Sequence, residues 1–381
     1  RKEKKFNFNE YKIFLQKNTI NLGKGLNVSN GIYSSYLKDQ LLLNNIPNDK
    51  GVKVVFEKSI IDTLGEEGYQ LIAKNNKISI LSNTKAGTFY GIQTLIQLTR
   101  LGVVQELEII DKPQFKWRAY MLDEGRYFQG KEVVKYILNE MAHLKMNVFH
   151  WHLTDHAGWR IEIKKYPLLT QIGSKRDSTQ INYQGKKWGS EVFDGVPHEG
   201  FYTQDDIKEI VAHAENLNIT IIPEIAMPGH ASAAIASYPF LGSSTQPIKV
   251  PERFGVGEVI FNPASPKTIV FIQDVLKEVS DLFPGNIIHI GGDEAKYDLW
   301  KINEDIKALM KENQLENYSD VQVHFTNNIS DYINSVLGKR MMGWNEIMGN
   351  NLHNWENNDD NATTKLSKNA IIHFWKGGLD N

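Results

Sequence analysis

The pattern of apolar and polar positions divides the chain into two regions. In the first, the apolar runs at 52–58 ("VKVVFEK") and 77–82 ("KISILS") predict strands, and 86–100 ("AGTFYGIQTLIQLTR") predicts a helix. Apolar residues recur at helical spacing in that helix and should form one buried face: Phe89, Ile92, Leu95 and Ile96. A "DKP" segment at 111–113 marks a boundary. We therefore predict a small α/β domain over residues 1–113.

From about residue 117 onward, short apolar strands alternate with helices. Strands are predicted at 118–124, 147–153, 219–225, 286–292, 339–344 and 370–375. Helices are predicted near 131–145, 205–217, 266–282 and 320–337. Strands that lack polar alternation and are separated by helices are typical of parallel strands buried on both faces. This order fits either an open doubly wound sheet or a (β/α) barrel.

The residues that follow the strands favour the barrel. The strands run into "LDEGR", "HLTD", "PEIAMPGH", "GGDE", "GWNE" and "FWKG", and no glycine-rich phosphate loop follows the first strand. Functional side chains of a (β/α)8 barrel gather at the C-terminal ends of its strands. A closed barrel has eight strands, and about six are predicted here. We therefore predict an α/β fold with a TIM-type (β/α)8 barrel over 114–381, incomplete in this chain and continuing beyond Asn381 in the natural protein.

Composition excludes several classes of function. The net charge of −2 over 381 residues argues against a nucleic acid or an anionic membrane surface as partner. The absence of cysteine excludes disulfides, thiolate metal sites and a cysteine nucleophile. No apolar run reaches the roughly 18 residues that a membrane span needs.

The stretch "IIHIGGDE" (287–294) places two neighbouring acids, Asp293 and Glu294, after a buried strand. Gly291 and Gly292 remove side chains where another group could approach closely. Neighbouring residues of a strand point in different directions, so the two acids are expected to divide their tasks. One would protonate a substrate while the other orients it or stabilises charge.

The stretch "FHWHLTD" (149–155) offers two alternatives for His150 and His152. An H-x-H pair at the end of a barrel strand can bind a divalent metal, with His230 and His289 as further ligands. Alternatively, these histidines are buried polar residues that line the floor of a site. We favour the second interpretation and predict neither a metal nor a cofactor.

Arg126, Trp344 and Trp375 also lie at predicted strand ends. Arg126 could pair with Asp123 or Glu124, or its fork of donors could bind adjacent sugar hydroxyls. Two tryptophans at the mouth of one barrel indicate a flat apolar wall of the kind that a pyranose ring or an acetamido methyl group needs.

Five motifs in the same order resemble the β-N-acetylhexosaminidases of glycoside hydrolase family 20. They are "FKWRAYMLDEGRYF" (115–128), "FHWHLTD" (149–155), "PEIAMPGH" (223–230), "HIGGDE" (289–294) and "GWNEI" (343–347). The resemblance extends over nearly all of 86–376, and the region before the barrel resembles the small α/β domain of that family. It implies an exo-acting glycosidase that removes terminal β-linked GlcNAc or GalNAc by a retaining mechanism, with the substrate's 2-acetamido group as nucleophile.

The resemblance also implies a role for each site residue. Glu294 would be the general acid and then the base, with a pKa raised by its surroundings, and Asp293 would orient the acetamido N–H. Arg126 would bind hydroxyls far from the anomeric carbon. Asp155 and His230 would form the polar network behind Glu294. Trp344 and Trp375 would enclose the acetamido group of the substrate, an oligosaccharide or glycoconjugate. We also expect a periplasmic or secreted location of bacterial type.

The sequence departs from the family pattern in three places. Ala226 stands where the family commonly has an acidic residue, and Tyr127 stands where it has histidine. The family's acetamido-binding tyrosine, a third pocket tryptophan and an acid that grips the non-reducing hydroxyls are expected beyond Asn381. Two other functions stay open: a non-catalytic N-acetylhexosamine-binding protein, for which Ala226 is the best evidence, and a metal-dependent barrel hydrolase built on His150 and His152.

Overall fold

The computed structural model describes most of the chain: residues 5–8, 11–31, 33–48, 51–59, 61–100, 102–186, 189–244, 246–255, 257, 259–350, 352 and 361–376. The chain forms two compact units. The first comprises Arg1–Arg118, Asn139–Asn147 and Leu217–Ile219, and the second comprises Ala119–Leu138, Val148–Asn216 and Thr220–Asn381. A boundary between domains at residue 113 stays a prediction.

In its described residues, the first unit contains a seven-stranded sheet, two α-helices and a short 3-10 helix at Asp62–Leu64. Its elements are β1 (Lys5–Phe8), β2 (Tyr11–Asn21), β3 (Leu26–Val28), α1 (Ser34–Leu43), β4 (Val52–Lys58), β5 (Tyr69–Lys74), β6 (Lys77–Ser82), α2 (Lys85–Thr99) and β7 (Val103–Asp111). The strand order is β1-β2-β7-β5-β6-β4-β3. Strands β4 and β6 are the two predicted strands, and they pair in parallel.

Helix α2 confirms the predicted helix and its buried face. The side chain of Thr84 accepts a hydrogen bond from Gly87 N at 3.2 Å and caps the N-terminus of the helix. The four apolar residues predicted to face the core are at most 2% exposed. Burial of that stripe against the sheet anchors the helix, because an isolated helix of this length is marginal in water.

The second unit alternates strands and helices. Its elements are β8 (Ala119–Asp123), α3 (Lys131–His143), β9 (Val148–Asp155), β10 (Gly158–Trp159), α4 (Leu168–Gln171), β11 (Lys175–Arg176), β12 (His198–Glu199), α5 (Gln204–Asn216), β13 (Thr220–Ile225), α6 (Ser232–Ser237), α7 (Pro266–Leu282), β14 (Ile287–His289), α8 (Asp298–Lys301), α9 (Glu304–Asn313), α10 (Tyr318–Ser335), β15 (Arg340–Trp344) and β16 (Ile371–His373). Short 3-10 helices lie at Pro239–Leu241 and Asn345–Met348. The end of α3, from Asn139 onward, is counted with the first unit.

Six strands of the second unit are parallel neighbours in the order β8-β9-β13-β14-β15-β16. They are the six strands predicted from the sequence. Because the strands run in the same direction, the residues at their C-terminal ends lie at one edge of the sheet. The register places Glu224 opposite His289 and Trp344 opposite His373 at that edge.

Burial on both faces is confirmed for the central strands and is wrong for the outer ones. All eight residues of β9 and five of the six residues of β13 are buried. The residues of β8 and β16 are exposed or only half-buried. Within the part of the chain that the structure describes, each of these two outer strands pairs with one neighbour.

Several of the longer helices begin with side-chain caps. The side chain of Ser265 accepts from Thr268 N at the start of α7, and Asn317 and Asp320 form a capping box at the start of α10. Among the described residues, no helix combines the length and the apolar character that crossing a membrane requires.

Candidate active site

The candidate site begins at the turn after β14. Gly291 and Gly292 have φ angles of +68° and +93°, in the left-handed region that favours glycine. A Cβ at Gly291 would lie 3.3 Å from both Glu224 Oε1 and Asp293 Oδ1, and a Cβ at Gly292 would overlap Ile347 Cγ2. The predicted role of these glycines, close approach by other groups, is confirmed.

The turn directs Asp293 and Glu294 to the same histidine. The Nε2 atom of His230 lies 3.3 Å from Asp293 Oδ2 and 3.5 Å from Glu294 Oε2. We expected two neighbouring strand residues to point apart, and this is wrong because the strand ends at His289 and Glu294 has a left-handed φ of 50°. Both carboxylates are partly exposed, at 15% and 18%, so a ligand can reach them.

Asp155, the last residue of β9, lies behind His230. Its Oδ2 is 3.4 Å from His230 Nδ1 and 3.2 Å from Arg126 Nη2. Its Oδ1 accepts a hydrogen bond from His156 N at 2.6 Å and also contacts His156 Nδ1. The structure therefore joins five of the predicted site residues into one network, from Arg126 through Asp155 and His230 to the two carboxylates.

Charge pairing decides the protonation of this network. Burial disfavours a charged His230, but Asp155 and Asp293 outweigh burial, so the pKa of His230 lies well above its ordinary value. Burial likewise disfavours a charged Asp155, but His230, His156 and Arg126 outweigh it, so the pKa of Asp155 lies well below its ordinary value. His230 is therefore an imidazolium held between carboxylates.

Arg126 is held by two acids. Its Nη1 donates to Asp123 Oδ2 at 2.6 Å, and its backbone N donates to Asp123 Oδ1 at 3.1 Å, which confirms the ion pair with Asp123. Its side chain remains 31% exposed. Its carbonyl accepts from Arg176 Nη1 at 2.8 Å. Binding of sugar hydroxyls by Arg126 stays a prediction.

Glu224 forms a second buried centre that we did not single out from the sequence. Its Oε2 lies 2.7 Å from His150 Nε2 and 3.9 Å from His152 Nδ1, and its Oε1 lies 3.5 Å from His289 Nδ1. Burial would raise the pKa of Glu224, but the charge of His152 and the nearby ring of His150 hold it well below its ordinary value. The signal in the sequence was an acid inside an apolar strand, a position where a charge needs partners.

The two predicted wall tryptophans are neighbours. Their rings lie 6.3 Å apart at 64°. Trp344 ends β15, and its Nε1 donates to Glu224 Oε1 at 3.0 Å. Trp375 lies two residues beyond β16, is 49% exposed, and donates through Nε1 to both oxygens of Glu346 at 3.0 and 2.9 Å. The sequence missed His373, a half-buried residue on whose ring Trp344 stacks.

Three groups of side chains bring possible metal ligands within 4.8 Å of one another in the described residues: His150, His289 and His373; Asp155, His156 and His230; and His230, Asp293 and Glu294. His152 belongs to none of these groups, so the H-x-H pair does not offer one common metal site. Both residues of that pair are buried and lie around Glu224 instead.

Two of the three departures from the family pattern, Ala226 and Tyr127, lie in different surroundings. Ala226 is buried, and its backbone N donates to Thr154 Oγ1 at 2.9 Å. Tyr127 is exposed and stacks on His198 at 4.0 Å. Ala226 is therefore close to the buried end of β9.

Two family models match the chain. The "Glycosyl hydrolase family 20, catalytic domain" matches residues 115–381, and "Glycosyl hydrolase family 20, domain 2" matches residues 14–112.

Curated relatives carry the name beta-hexosaminidase. That of Porphyromonas gingivalis is 35% identical over 364 residues, which are 91% of this chain and 45% of the relative. That of Vibrio furnissii is 36% identical over 318 residues, 82% of this chain and 49% of the relative. The chain thus spans about half the length of these relatives.

Solved structures show the same fold. The beta-N-acetylhexosaminidase of Bacteroides fragilis matches with a TM-score of 0.77 and 30% identity over 95% of this chain and 68% of that one. The exo beta-N-acetylglucosaminidase of Vibrio harveyi, solved with N-acetylglucosamine, matches with a TM-score of 0.78 and 32% identity over 96% of this chain and 56% of that one. These likenesses confirm the predicted fold class, TIM-type barrel strands preceded by a small α/β domain.

Proposed function

Because the chain belongs to glycosyl hydrolase family 20, we propose that the full-length protein is a β-N-acetylhexosaminidase. It would remove terminal β-linked N-acetylhexosamine from an oligosaccharide or glycoconjugate. The observation that carries the proposal is the pair of partly exposed carboxylates, Asp293 and Glu294, at one imidazolium on the C-terminal edge of the barrel sheet.

In the proposed reaction the substrate's own acetamido oxygen attacks C1, and Glu294 gives its proton to the departing glycosidic oxygen. Most retaining glycosidases use a second carboxylate as nucleophile, and family 20 is among the exceptions. Asp293 accepts the acetamido N–H and stabilises the positive charge that develops on nitrogen. Water then attacks C1 and opens the oxazolinium-type ring that the acetamido oxygen formed with C1, while Glu294 takes a proton from the water. This step restores the acid form of Glu294 and gives a product of retained anomeric configuration.

The other side chains support this chemistry. His230 keeps its charge through Asp155 and lies against both carboxylates, so it can hold them in place while a proton leaves Glu294. Arg126 would hold hydroxyls of the sugar ring, and the two tryptophans would form the apolar wall against the acetamido methyl group.

The test is release of nitrophenol from nitrophenyl β-N-acetylglucosaminide by the full-length protein and its Glu294→Gln variant. General acid–base catalysis contributes about 10²–10⁴-fold, so turnover should fall by about that factor. Glu304→Gln, at an exposed acid in the first turn of α9, is the matched control and should retain full activity. Equal activity of the Glu294 variant and the control would contradict the assignment.

Ala226 favours a second candidate, a protein that binds N-acetylhexosamine without turning it over. Ala226→Asp returns an acid to this position. If the protein is a hydrolase, the wild type already turns over the substrate without the Ala226→Asp substitution. If the folded wild type binds N-acetylglucosamine without turnover and Ala226→Asp restores it, the binding function is the right one.

A further inference from the structure

Glu224 occupies a position from which it can act on the site without touching a substrate. It is the fifth residue of β13, is fully buried, and lies opposite His289 of β14. A Cβ at Gly291 would come within 3.3 Å of its Oε1, so a side chain at this glycine would crowd the carboxylate.

Trp344 reaches Glu224 across an intervening strand. Strand β14 lies between β13 and β15 in the sheet, and the indole of Trp344 at the end of β15 spans it to donate to Glu224 Oε1 at 3.0 Å. The backbone N of Trp344 donates to Gly291 O at 2.8 Å. The same tryptophan is therefore tied both to the buried carboxylate and to the turn that carries Asp293 and Glu294.

The face of the indole is fixed as well. Trp344 stacks on His373 with ring centres 4.3 Å apart and an angle of 23°, and it meets His289 edge-on at 4.9 Å. An indole has one hydrogen-bond donor and no acceptor, so a bond to its N–H selects one of the two ways the ring can be turned within its slot. Stacking sets the plane of the ring, and the bond to Glu224 sets its rotation in that plane.

Hydrogen bonds around His289 leave Glu224 Oε1 available to the indole. His289 Nδ1 accepts a hydrogen bond from Gly291 N at 3.0 Å, so in a neutral imidazole the proton is on Nε2. His289 then has no proton at Nδ1 to give to Glu224, although the two atoms are 3.5 Å apart. The other carboxylate oxygen, Oε2, faces His150 Nε2 at 2.7 Å.

We propose that Glu224 is a positioning residue that fixes the indole of Trp344 and thereby limits the size of the acyl group accepted on the substrate's sugar nitrogen. This inference rests on the proposed function, in which Trp344 forms a wall against the acetamido methyl group. A charge-assisted bond holds the wall more firmly than a bond to a neutral acceptor. A wall held in one place discriminates against a longer acyl group, whereas a wall that can rotate does not.

The experiment compares nitrophenyl glucosaminides that carry N-acetyl or N-propionyl groups, using the full-length protein. One added methylene in a closely fitting apolar pocket costs about 10–200-fold in kcat/KM. We expect the wild type to show a ratio in that range and Glu224→Gln to lower the ratio about tenfold. The ratio does not depend on how much of the variant is folded, so a purely structural role for Glu224 would leave it unchanged.

Glu124 provides a matched control. It is fully buried and accepts from an indole, that of Trp151, with Nε1–Oε2 at 2.7 Å. Glu124→Gln therefore weakens the same type of bond on another tryptophan, and we expect it to change stability without changing the acyl ratio. An equal drop in the ratio for Glu124→Gln and Glu224→Gln would overturn the proposal.

A double-mutant cycle tests whether Glu224 acts through Trp344. Trp344→Phe keeps an aromatic ring and removes the N–H, so it should lower the acyl ratio as Glu224→Gln does. If the indole bond carries the effect, the double variant changes the ratio no further than either single variant. Additive effects would show that Glu224 acts by another route.

Failure of the proposed function is distinguishable from failure of this inference. If the folded wild type does not turn over the N-acetyl substrate, the proposed hydrolysis is contradicted. Discrimination between the acyl groups is then measured as the ratio of the affinities for N-acetylglucosamine and N-propionylglucosamine. If neither sugar binds, both proposals fail.

A measurement on the wild type covers the case in which Glu224→Gln does not fold. In protein labelled with ¹⁵N at the indole nitrogen, the Trp344 resonance is identified by its loss in Trp344→Phe. We expect its Nε1–H to exchange with solvent slowly, at a rate closer to that of buried Trp151 than to that of half-exposed Trp375. Exchange as fast as that of Trp375 would contradict a fixed indole.

Discussion

At the scale of single residues, His230 is the point on which the candidate site depends. It contacts Asp155 on one ring nitrogen and both Asp293 and Glu294 on the other. It is also one of the non-glycine residues with a left-handed φ, at 50°, as is Glu294. Such backbone conformations cost about 1–3 kcal/mol each and persist where the surroundings hold them. The ion pairs of His230 offset part of that cost.

The raised pKa of His230 predicts a pH dependence of stability. A histidine whose pKa in the folded state lies above its unfolded value of 6.5 contributes its full stabilisation below pH 6.5 and loses it as the pH rises through the folded value. The wild type should therefore exceed His230→Gln in free energy of unfolding most at about pH 6 and progressively less toward alkaline pH. Chemical denaturation of both proteins between about pH 6 and 10 measures the difference.

His324 of α10 is the control, because burial lowers its pKa. Its linkage has the opposite sign, so the advantage of the wild type over His324→Gln should not decline as the pH rises. A difference for His230→Gln that is constant over the whole pH range would contradict a charged His230.

At the scale of elements, the turn after β14 decides where the acids point. Sequence predicted the strand, the two glycines and the two acids. It extended the strand to residue 292, whereas the structure ends it at His289. Residues 290–292 account for the difference. A strand continued through them would have placed Asp293 and Glu294 on opposite faces of the sheet, whereas the turn brings both side chains to His230.

Gly292→Ala should destabilise the protein by about 1–3 kcal/mol more than Gly338→Ala, because only the first substitution also overpacks the core. Both glycines have a left-handed φ, +93° and +66°. A Cβ at Gly292 would overlap Ile347 Cγ2, and a Cβ at Gly338 would meet nothing within 4 Å. Equal unfolding midpoints in denaturant would show that the turn adapts without cost.

Asp320→Asn should cost about 2–3 kcal/mol of stability, because a charged acceptor of several hydrogen bonds becomes neutral. Asp320 caps α10 and accepts from Thr363 N and Thr364 N at 2.7 and 2.6 Å, which fastens the segment before β16. Asp331→Asn, at an exposed position of the same helix, should change stability little. The midpoints of thermal unfolding measure the difference, and equal midpoints for the two variants would contradict this role of Asp320.

At the scale of the whole molecule, the six parallel strands differ in burial from the centre of the sheet to its edges. Strands β9 and β13 are buried, while β8 and β16 are exposed or half-buried. Two tryptophans of this sheet, Trp151 in β9 and Trp344 in β15, each donate a hydrogen bond to a buried glutamate. His150, His152 and Asp155 lie on β9 and Glu224 lies on β13, the two most buried of these strands.

Hydrogen exchange should follow this gradient. Backbone amides of β9 and β13 should exchange orders of magnitude more slowly than those of β16, since their opening requires disruption of the core. Mass spectrometry of peptides covering 148–155, 220–225 and 371–373 measures the three rates. Similar rates in β9 and β16 would contradict a central position of β9.

Local patterns in the sequence predicted the six barrel strands, five of the helices and most residues of the candidate site. The six barrel strands follow from apolar runs, and Phe89 and its neighbours follow from helical spacing, because these patterns are local properties of the chain. Asp155, His230 and the "GGDE" acids could be found because functional residues of a barrel follow its strands.

Which side chains meet depends on the tertiary structure. Glu224 escaped notice because its partners, His150, His289 and Trp344, come from three other strands, up to 120 residues away in the case of Trp344. The shared contact of Asp293 and Glu294 with His230 depends on backbone angles that the residue types alone do not fix. Contacts between strands are set by register and turn geometry, so a pattern along the chain names the groups but not their partners.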